Sequence, residues 1–215
     1  MRLFAYYRSS TSYRVRIALN LKGLEYEIVP VDLAQAEQRG TEYRAINPFA
    51  GVPAVEHEGR YYAQSMAVME WLEDRFPQPP LLPSDAEGRF RARELAYAIA
   101  TELHAPLNLP VLQYLKHDLG HDQPTIDRWY RHWLAKTLAP LEQRLEALGA
   151  GDLLGDVPGL FEAVLVPQLY NARRFDFDLS EMPHLRRIEA TCLAYPAFVR
   201  AHPDNQPDST AQGPA

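Results

Sequence analysis

Apolar and polar positions follow two different rhythms along this chain. Residues 3–6 are short, apolar and aromatic, the pattern of a buried strand. Ser9-Ser10-Thr11-Ser12 is then a cluster of helix-capping residues, after which Val15, Ala18 and Leu19 recur at helical spacing up to Lys22-Gly23, a glycine stop. Residues 26–31 return to β-branched and aromatic types, and 34–46 is polar, with the look of a short, irregular helix. Residues 52–55 and 60–62 flank His57-Glu58-Gly59, a hairpin signature. Gln64-Ser65 precedes a helix with Val68, Met69, Leu72 and Phe76 on its apolar side. The order β-α-β-α-β-β-α opens with the unit of a parallel sheet.

Pro77, Pro79, Pro80 and Pro83 crowd one stretch that can be neither helix nor central strand, so it reads as a linker. Beyond it the rhythm is helical. Ile126, Trp129, Trp133, Leu138, Leu141, Leu145 and Leu148 share a face, and Pro140 inside that run should kink it. Residues 160–170 and 184–195 supply further helices. From His202 onward the chain is polar and proline-rich, as a loosely held tail would be. The fold class that follows is an α/β thioredoxin-like domain over 1–80 joined to an all-helical domain over 84–215. In the thioredoxin-like arrangement a cis-proline opens the third strand, and Pro53 sits at that place.

Composition narrows the class. Hydrophobic residues at 47% and charged residues at 23% suit a globular protein with a full core. Lys plus Arg is 22 and Asp plus Glu is 28, a net charge of −6, which argues against nucleic acid as a partner. An anionic substrate must therefore be captured by a local arginine cluster. The single cysteine, Cys192, permits neither an intrachain disulfide nor a thiolate metal site, and the chain fits a reducing, cytoplasmic compartment. No signal peptide and no run of membrane-spanning length is legible, and the seven histidines show no metal spacing.

Two stretches carry chemistry. Arg8-Ser9-Ser10-Thr11-Ser12-Tyr13-Arg14 joins the first strand to the first helix, where backbone N–H groups and the helix dipole favour an anion. The hydroxyls serve equally well as plain helix caps. With no cysteine in the loop and no histidine nearby, it is suited to stabilising a thiolate brought from elsewhere. Gln64-Ser65 is a second helix start, either a plain cap or a seat for a carboxylate. A thiolate seat and a carboxylate seat, with the Val52 backbone free to pair with an extended peptide, suit a peptide thiol such as glutathione. Tyr7 and Cys192 read as packing residues, and Arg173-Arg174 as a solvated pair.

The run from Arg8 to Leu19 resembles the S-S-C-x-W-R-V-R-I-A-L signature of zeta-class glutathione transferases, the family of maleylacetoacetate isomerase. Asn47-Pro48 with Val52-Pro53, Gln64-Ser65 with Glu70-Trp71-Leu72-Glu73, Leu165-Val166-Pro167-Gln168 with Asn171-Ala172-Arg173-Arg174-Phe175, and His202-Pro203 with Gln206-Pro207-Asp208 extend the resemblance over essentially the whole chain. It implies the glutathione transferase fold, glutathione as cofactor, a homodimer, and cis–trans isomerisation of a small maleyl-type acid in aromatic amino-acid catabolism. The implied reaction is reversible: a thiolate adds to the cis double bond, the bond rotates, and the thiolate leaves. Ser9, Ser10 and Thr11 would form the activating loop. Gln38, Val52, Gln64 and Ser65 would contact glutathione, joined by His104 and Asn108 from the helical domain. Arg174 and Arg8 would handle substrate carboxylates.

The chain also departs from the family's pattern. The family's loop cysteine is Thr11 here and its tryptophan is Tyr13. Threonine at that place resembles the bacterial maleylpyruvate isomerases. Those carry arginines where this chain has Leu109 and Pro110, which favours a larger, less charged substrate. Conjugation of glutathione to small electrophiles is the neighbouring activity, and a non-catalytic interaction module is a third reading. The superfamily's Thr-x-x-Asp helix cap reads Gly159-Leu160-Phe161-Glu162, with Glu162 still able to reach back.

Overall fold

The computed structural model describes residues 1–151 and 153–209. It forms two compact units, Met1–Leu82 with the described part of Leu193–Ala215, and Pro83–Cys192. The first unit is built on a four-stranded sheet in the order β2-β1-β3-β4. Strand β1 (Arg2–Ala5) pairs in parallel with β2 (Glu27–Pro30) and antiparallel with β3 (Ala54–His57), which turns back into β4 (Arg60–Ala63). The β3–β4 turn places Glu58 at φ 52° and Gly59 at φ 73°, the left-handed pair that a two-residue hairpin requires.

Register fixes what each face of the sheet buries. Phe4 lies opposite Ala54, and both join Val31 and Tyr43 in one cluster against which Val29, Ile46 and Val52 pack. Leu3 lies opposite Val55 on the other face, both fully buried. Tyr43 belongs to α2 (Thr41–Ile46), which follows a single 3₁₀ turn at Glu37–Arg39.

Helix α1 (Ser10–Leu21) packs against α3 (Ser65–Arg75) and is buried over most of its length. The buried residues include Arg14 and Arg16, each 1% exposed, and Lys22 at its C-cap is buried too. A periodicity argument treats those cations as solvent-facing, so the sequence underestimates how completely α1 is enclosed. Backbone carbonyls account for two of the three. The Arg16 guanidinium donates to Tyr7 O at 2.9 Å and Ala201 O at 3.0 Å. Lys22 Nζ donates to Glu73 Oε2 at 2.9 Å, Phe76 O at 2.7 Å and Pro79 O at 3.0 Å. The same Glu73 carboxylate accepts from Leu81 N at 2.8 Å and Leu82 N at 3.2 Å. The proline-rich segment is thus tied down by one buried ion pair.

The chain from 202 on is not a loose tail over the described residues, and the segment after Leu193 belongs to the first unit, not to a helical domain running over 84–215. Besides Arg16 on Ala201 O, two contacts dock it. Asn20 donates to Ala197 O in α10 (Pro196–Ala201) at 2.9 Å, and Asp208 accepts from Tyr7 N at 2.9 Å. Gln206, 2% exposed, donates to the carbonyls of Arg200 and His202. Polar composition suggested mobility, but these side chains satisfy backbone groups that would otherwise be orphaned. Residues 210–215 of that expected tail lie outside the described residues.

The second unit is helical. Helix α4 (Ala86–Tyr97) passes through a π-helical turn at Ala98–Leu103 into the short α5 (His104–Leu107) and α6 (Leu109–Gln113), and a second π-helical turn spans Tyr114–Asp118. Helix α7 (Gln123–Ala147) continues unbroken through Pro140. Its core side is carried by Ile126, Tyr130, Leu134, Leu138, Leu141 and Leu145, while Trp129 and Trp133 are only half-buried. Helix α8 (Leu160–Arg174) is buried from Leu160 through Leu169. Glu162 accepts from Gly159 N at 2.9 Å and from Leu154 N at 2.8 Å, so the helix start is held despite the glycine cap. Burial pushes that carboxyl above its ordinary value. Glu142 in turn accepts from His184 N and Leu185 N at the opening of α9 (Pro183–Leu193).

Lys22→Met leaves the Glu73 carboxylate buried without its cation. It is expected to cost about 3–5 kcal/mol, read as a lower urea midpoint at unchanged slope. A loss below about 1 kcal/mol would show that the three carbonyl and carboxylate contacts add nothing beyond packing.

Candidate functional site

The loop after β1 is shaped by side chains capping their own backbone. Ser9 is the N-cap of α1, at φ −67° and ψ 120°, and its Oγ accepts from Ser12 N at 3.2 Å. Thr11 Oγ1 donates to Val52 O at 2.8 Å. A hydroxyl has one proton, so in the 2.9 Å contact between Ser9 Oγ and Thr11 Oγ1 it is Ser9 that donates. A directed relay therefore runs from Ser9 through Thr11 to the Val52 carbonyl. Ser10 lies at the start of α1 and is 6% exposed. The first N–H groups of α1 emerge at this same loop, with the positive end of the helix dipole.

Val52 belongs to a strongly supported stretch. Gly51 O accepts from Tyr43 OH at 2.8 Å and from Asn47 Nδ2 at 2.6 Å, and Asn47 Oδ1 accepts from Phe49 N. The Val52–Pro53 peptide is cis, and so is Gln78–Pro79, which the sequence did not signal. Burial raises the pKa of the Tyr43 hydroxyl, so it stays a donor. The Asn47-Pro48 pair was legible in the sequence, but its role as a brace for Gly51 was not.

At the start of α3, Gln64 adopts φ 69°, a left-handed conformation unusual for a residue with a side chain. Ser65 follows, 6% exposed, with Arg14 Nη1 donating to its Oγ at 3.5 Å. Among the described residues Nε and Nη2 of Arg14 have no hydrogen-bond partner, and neither does Oε1 of Gln38, which is 4% exposed. Burial lowers the Arg14 pKa to about 10, which leaves it protonated at neutral pH. Arg14 thus keeps idle donors beside Ser65, and Gln38 an idle acceptor. Arg14 ends the stretch that the sequence singled out, but a lone arginine at an amphipathic spacing gives no sign that it is enclosed.

The remaining residues of interest are placed as follows. Arg8 is exposed, with its guanidinium 5.2 Å from the Tyr7 ring centroid. Tyr7 is 5% exposed and packs edge-on to Tyr6. In the helical unit, His104 opens α5 and is half-buried. Asn108 is the N-cap of α6, accepting from Val111 N at 3.2 Å. Leu109 is 37% exposed and Pro110 is exposed. The two arginines read as a solvated pair part company. Arg173 makes a two-pronged ion pair with Glu189, both contacts 2.5 Å, whereas exposed Arg174 reaches Asn171 Oδ1 at 3.2 Å and no other side chain among the described residues. Among the described residues no cluster of three His, Cys, Asp or Glu side chains is arranged to hold a metal ion, and no helix is long and apolar enough to cross a membrane.

A thioredoxin-like unit with a mixed four-stranded sheet, followed by a helical unit, is the architecture of the glutathione transferases. The family model for the glutathione S-transferase N-terminal domain matches residues 8–75. Maleylacetoacetate isomerase of Pseudomonas aeruginosa is 45% identical over 214 residues, covering 98% of this chain and 100% of its own. Among solved structures, a zeta-class maleyl pyruvate isomerase in its holo form superposes with TM-score 0.94 at 41% identity, covering 97% of this chain and 100% of its own. Maleylacetoacetate isomerase of Anaeromyxobacter dehalogenans, with bound GSH, superposes with TM-score 0.86 at 45% identity, covering 97% of each chain. The chain belongs to the zeta-class glutathione transferase family, that of the maleylacetoacetate isomerases.

Cys192 is buried, and desolvation first, then the charges of Glu162 and Glu189, push its thiol well above the ordinary range. Only a thiolate reacts with disulfide reagents, so the native protein is expected to resist labelling at pH 8 and to label once in urea. Because the folded thiol ionises later than the unfolded one, its contribution to stability is full below about pH 9 and is lost progressively above it. Rapid labelling of native protein would place Cys192 at the surface.

Proposed function

We propose that this chain is a glutathione-dependent cis–trans isomerase of the maleylacetoacetate type. One observation carries the reading: the loop that opens α1 offers hydroxyls and a helix N-terminus but no thiol, in a chain 45% identical over its whole length to a maleylacetoacetate isomerase. When bound, glutathione supplies a thiolate nucleophile for reversible addition to a conjugated cis double bond.

The chain's own residues do the rest. The first N–H groups of α1 and the hydroxyl of Ser10 stabilise negative charge at the loop, favouring the ionised sulfur, while Ser9, whose proton is directed to Thr11 Oγ1, shapes the loop. Thr11 acts as a positioning residue, because its proton is held by Val52 O. Val52 offers its backbone for strand-like pairing, and Gln38, Gln64 and Ser65 take the polar ends of the peptide. His104 and Asn108 are assigned to glutathione by resemblance. Arg174, left with one weak contact while Arg173 is committed to Glu189, is assigned to a substrate carboxylate, with Arg8 in the same role. The reading extends to a homodimer acting in the cytoplasm in aromatic amino-acid catabolism.

Maleylpyruvate is the second candidate substrate, favoured by Thr11. Leu109 and Pro110 weigh against it, since neither supplies the positive charge a compact dicarboxylate needs. A spectrophotometric assay on both maleyl compounds, with and without glutathione, decides between them. Glutathione should be returned unconsumed, and its steady consumption would mean conjugation instead. Turnover without glutathione would overturn the reading.

Ser10→Ala is expected to raise the pKa of the bound thiol by about 1–2 units, the worth of one hydrogen bond to a charged group. Ultraviolet thiolate absorbance against pH reads it. Thr11→Val is expected to leave that pKa within about half a unit while lowering stability by about 1 kcal/mol. The opposite ranking would move the activating role to Thr11.

A further inference from the structure

Arg14 is the exception among the buried cations of α1. Arg16 spends its donors on carbonyls, and Lys22 on a carboxylate and two carbonyls. Among the described residues Arg14, 1% exposed, reaches only Ser65 Oγ at 3.5 Å, with Nε and Nη2 idle. A buried charge without a counter-charge opposes folding, so stability does not explain it. Its partner Ser65 opens α3, an eleven-residue helix whose first N–H groups have no partner within the helix. Direction matters as well. Because Arg14 donates to Ser65 Oγ, the serine's own proton is turned away from the guanidinium. That leaves a hydroxyl donor, helix N–H groups and a buried positive charge stacked behind one another, an arrangement that lacks only an anion.

We infer that Arg14 is a positioning residue for a ligand carboxylate at the start of α3, acting through Ser65. It fixes which way the Ser65 hydroxyl points and supplies the counter-charge that the protein itself withholds. The ligand's arrival satisfies the guanidinium, so the charge raises affinity at the expense of the empty protein's stability. The identity of the carboxylate as one of glutathione's two rests on the function proposed above.

Calorimetric titration with glutathione, γ-glutamylcysteine and cysteinylglycine tests it, each dipeptide lacking one end of the tripeptide. Arg14→Met is expected to weaken glutathione and one of the two dipeptides about tenfold, while the other changes less than about twofold. Without ligand, its thermal midpoint should equal or exceed that of the wild type, where an arginine with a merely structural role would lower it. Equal losses for both dipeptides, or none, overturn the inference. Should the methionine variant not fold, Arg14→Lys and Ser65→Ala carry the same comparison, with the loss confined to the same dipeptide; equal losses there overturn it too. A wild-type protein that binds none of the three thiols removes the glutathione reading and this inference with it. Wild-type binding with an unchanged Arg14→Met removes only the inference.

Discussion

The structure turns on burying a basic helix. Helix α1 carries Arg14, Arg16 and, at its end, Lys22 into a low-dielectric interior, and each must find oxygen there or remain a cost. Meeting that demand organises the first unit. Arg16 draws in the carbonyls of the β1–α1 loop and of Ala201, which docks the chain's last described segment. Lys22 and Glu73 together gather the end of α3 and the proline-rich stretch after it. The polar groups that look like surface in a linear reading are the internal fastenings of this unit.

The site inherits its rigidity from the same arrangement. With α1 fixed at both ends, the loop in front of it is held by Ser9 on Ser12 and by Thr11 on Val52. Val52 is held in turn by the brace of Tyr43 and Asn47 on Gly51. Hydroxyl protons are directional, and this relay commits two of them before any ligand is present. What the loop can then offer to an anion is set by geometry and not by the number of serines and threonines. The chain contributes no sulfur of its own, because its single thiol is buried in a low-dielectric place that suppresses ionisation.

The helical unit shows how neighbouring identical residues acquire different roles. Arg173 and Arg174 end the same helix, one turning to a buried carboxylate and the other to solvent. The 100° step between adjacent helical residues is enough to separate a structural cation from an available one. Glu162 and Glu142 do comparable work at the starts of α8 and α9: Glu162 accepts from Gly159 N at the cap and from Leu154 N in the chain leading to it, and Glu142 from the first N–H groups of α9.

Sequence alone determined the strand and helix order of the first unit, the hairpin around Glu58-Gly59 and the proline-rich break after it. Those depend on local periodicity, capping chemistry and turn conformations, which act over a few residues. It misjudged the chain after residue 193 and the weight given to Trp129 and Trp133 on α7, and it was silent on the enclosure of Arg14, Arg16 and Lys22. Partners between 9 and 201 positions away settle those matters: Tyr7 for Asp208, Ala201 and Tyr7 for Arg16, Glu73 for Lys22. Whether a charged side chain faces water or a carbonyl depends on what the folded chain brings beside it, and only the tertiary structure decided that.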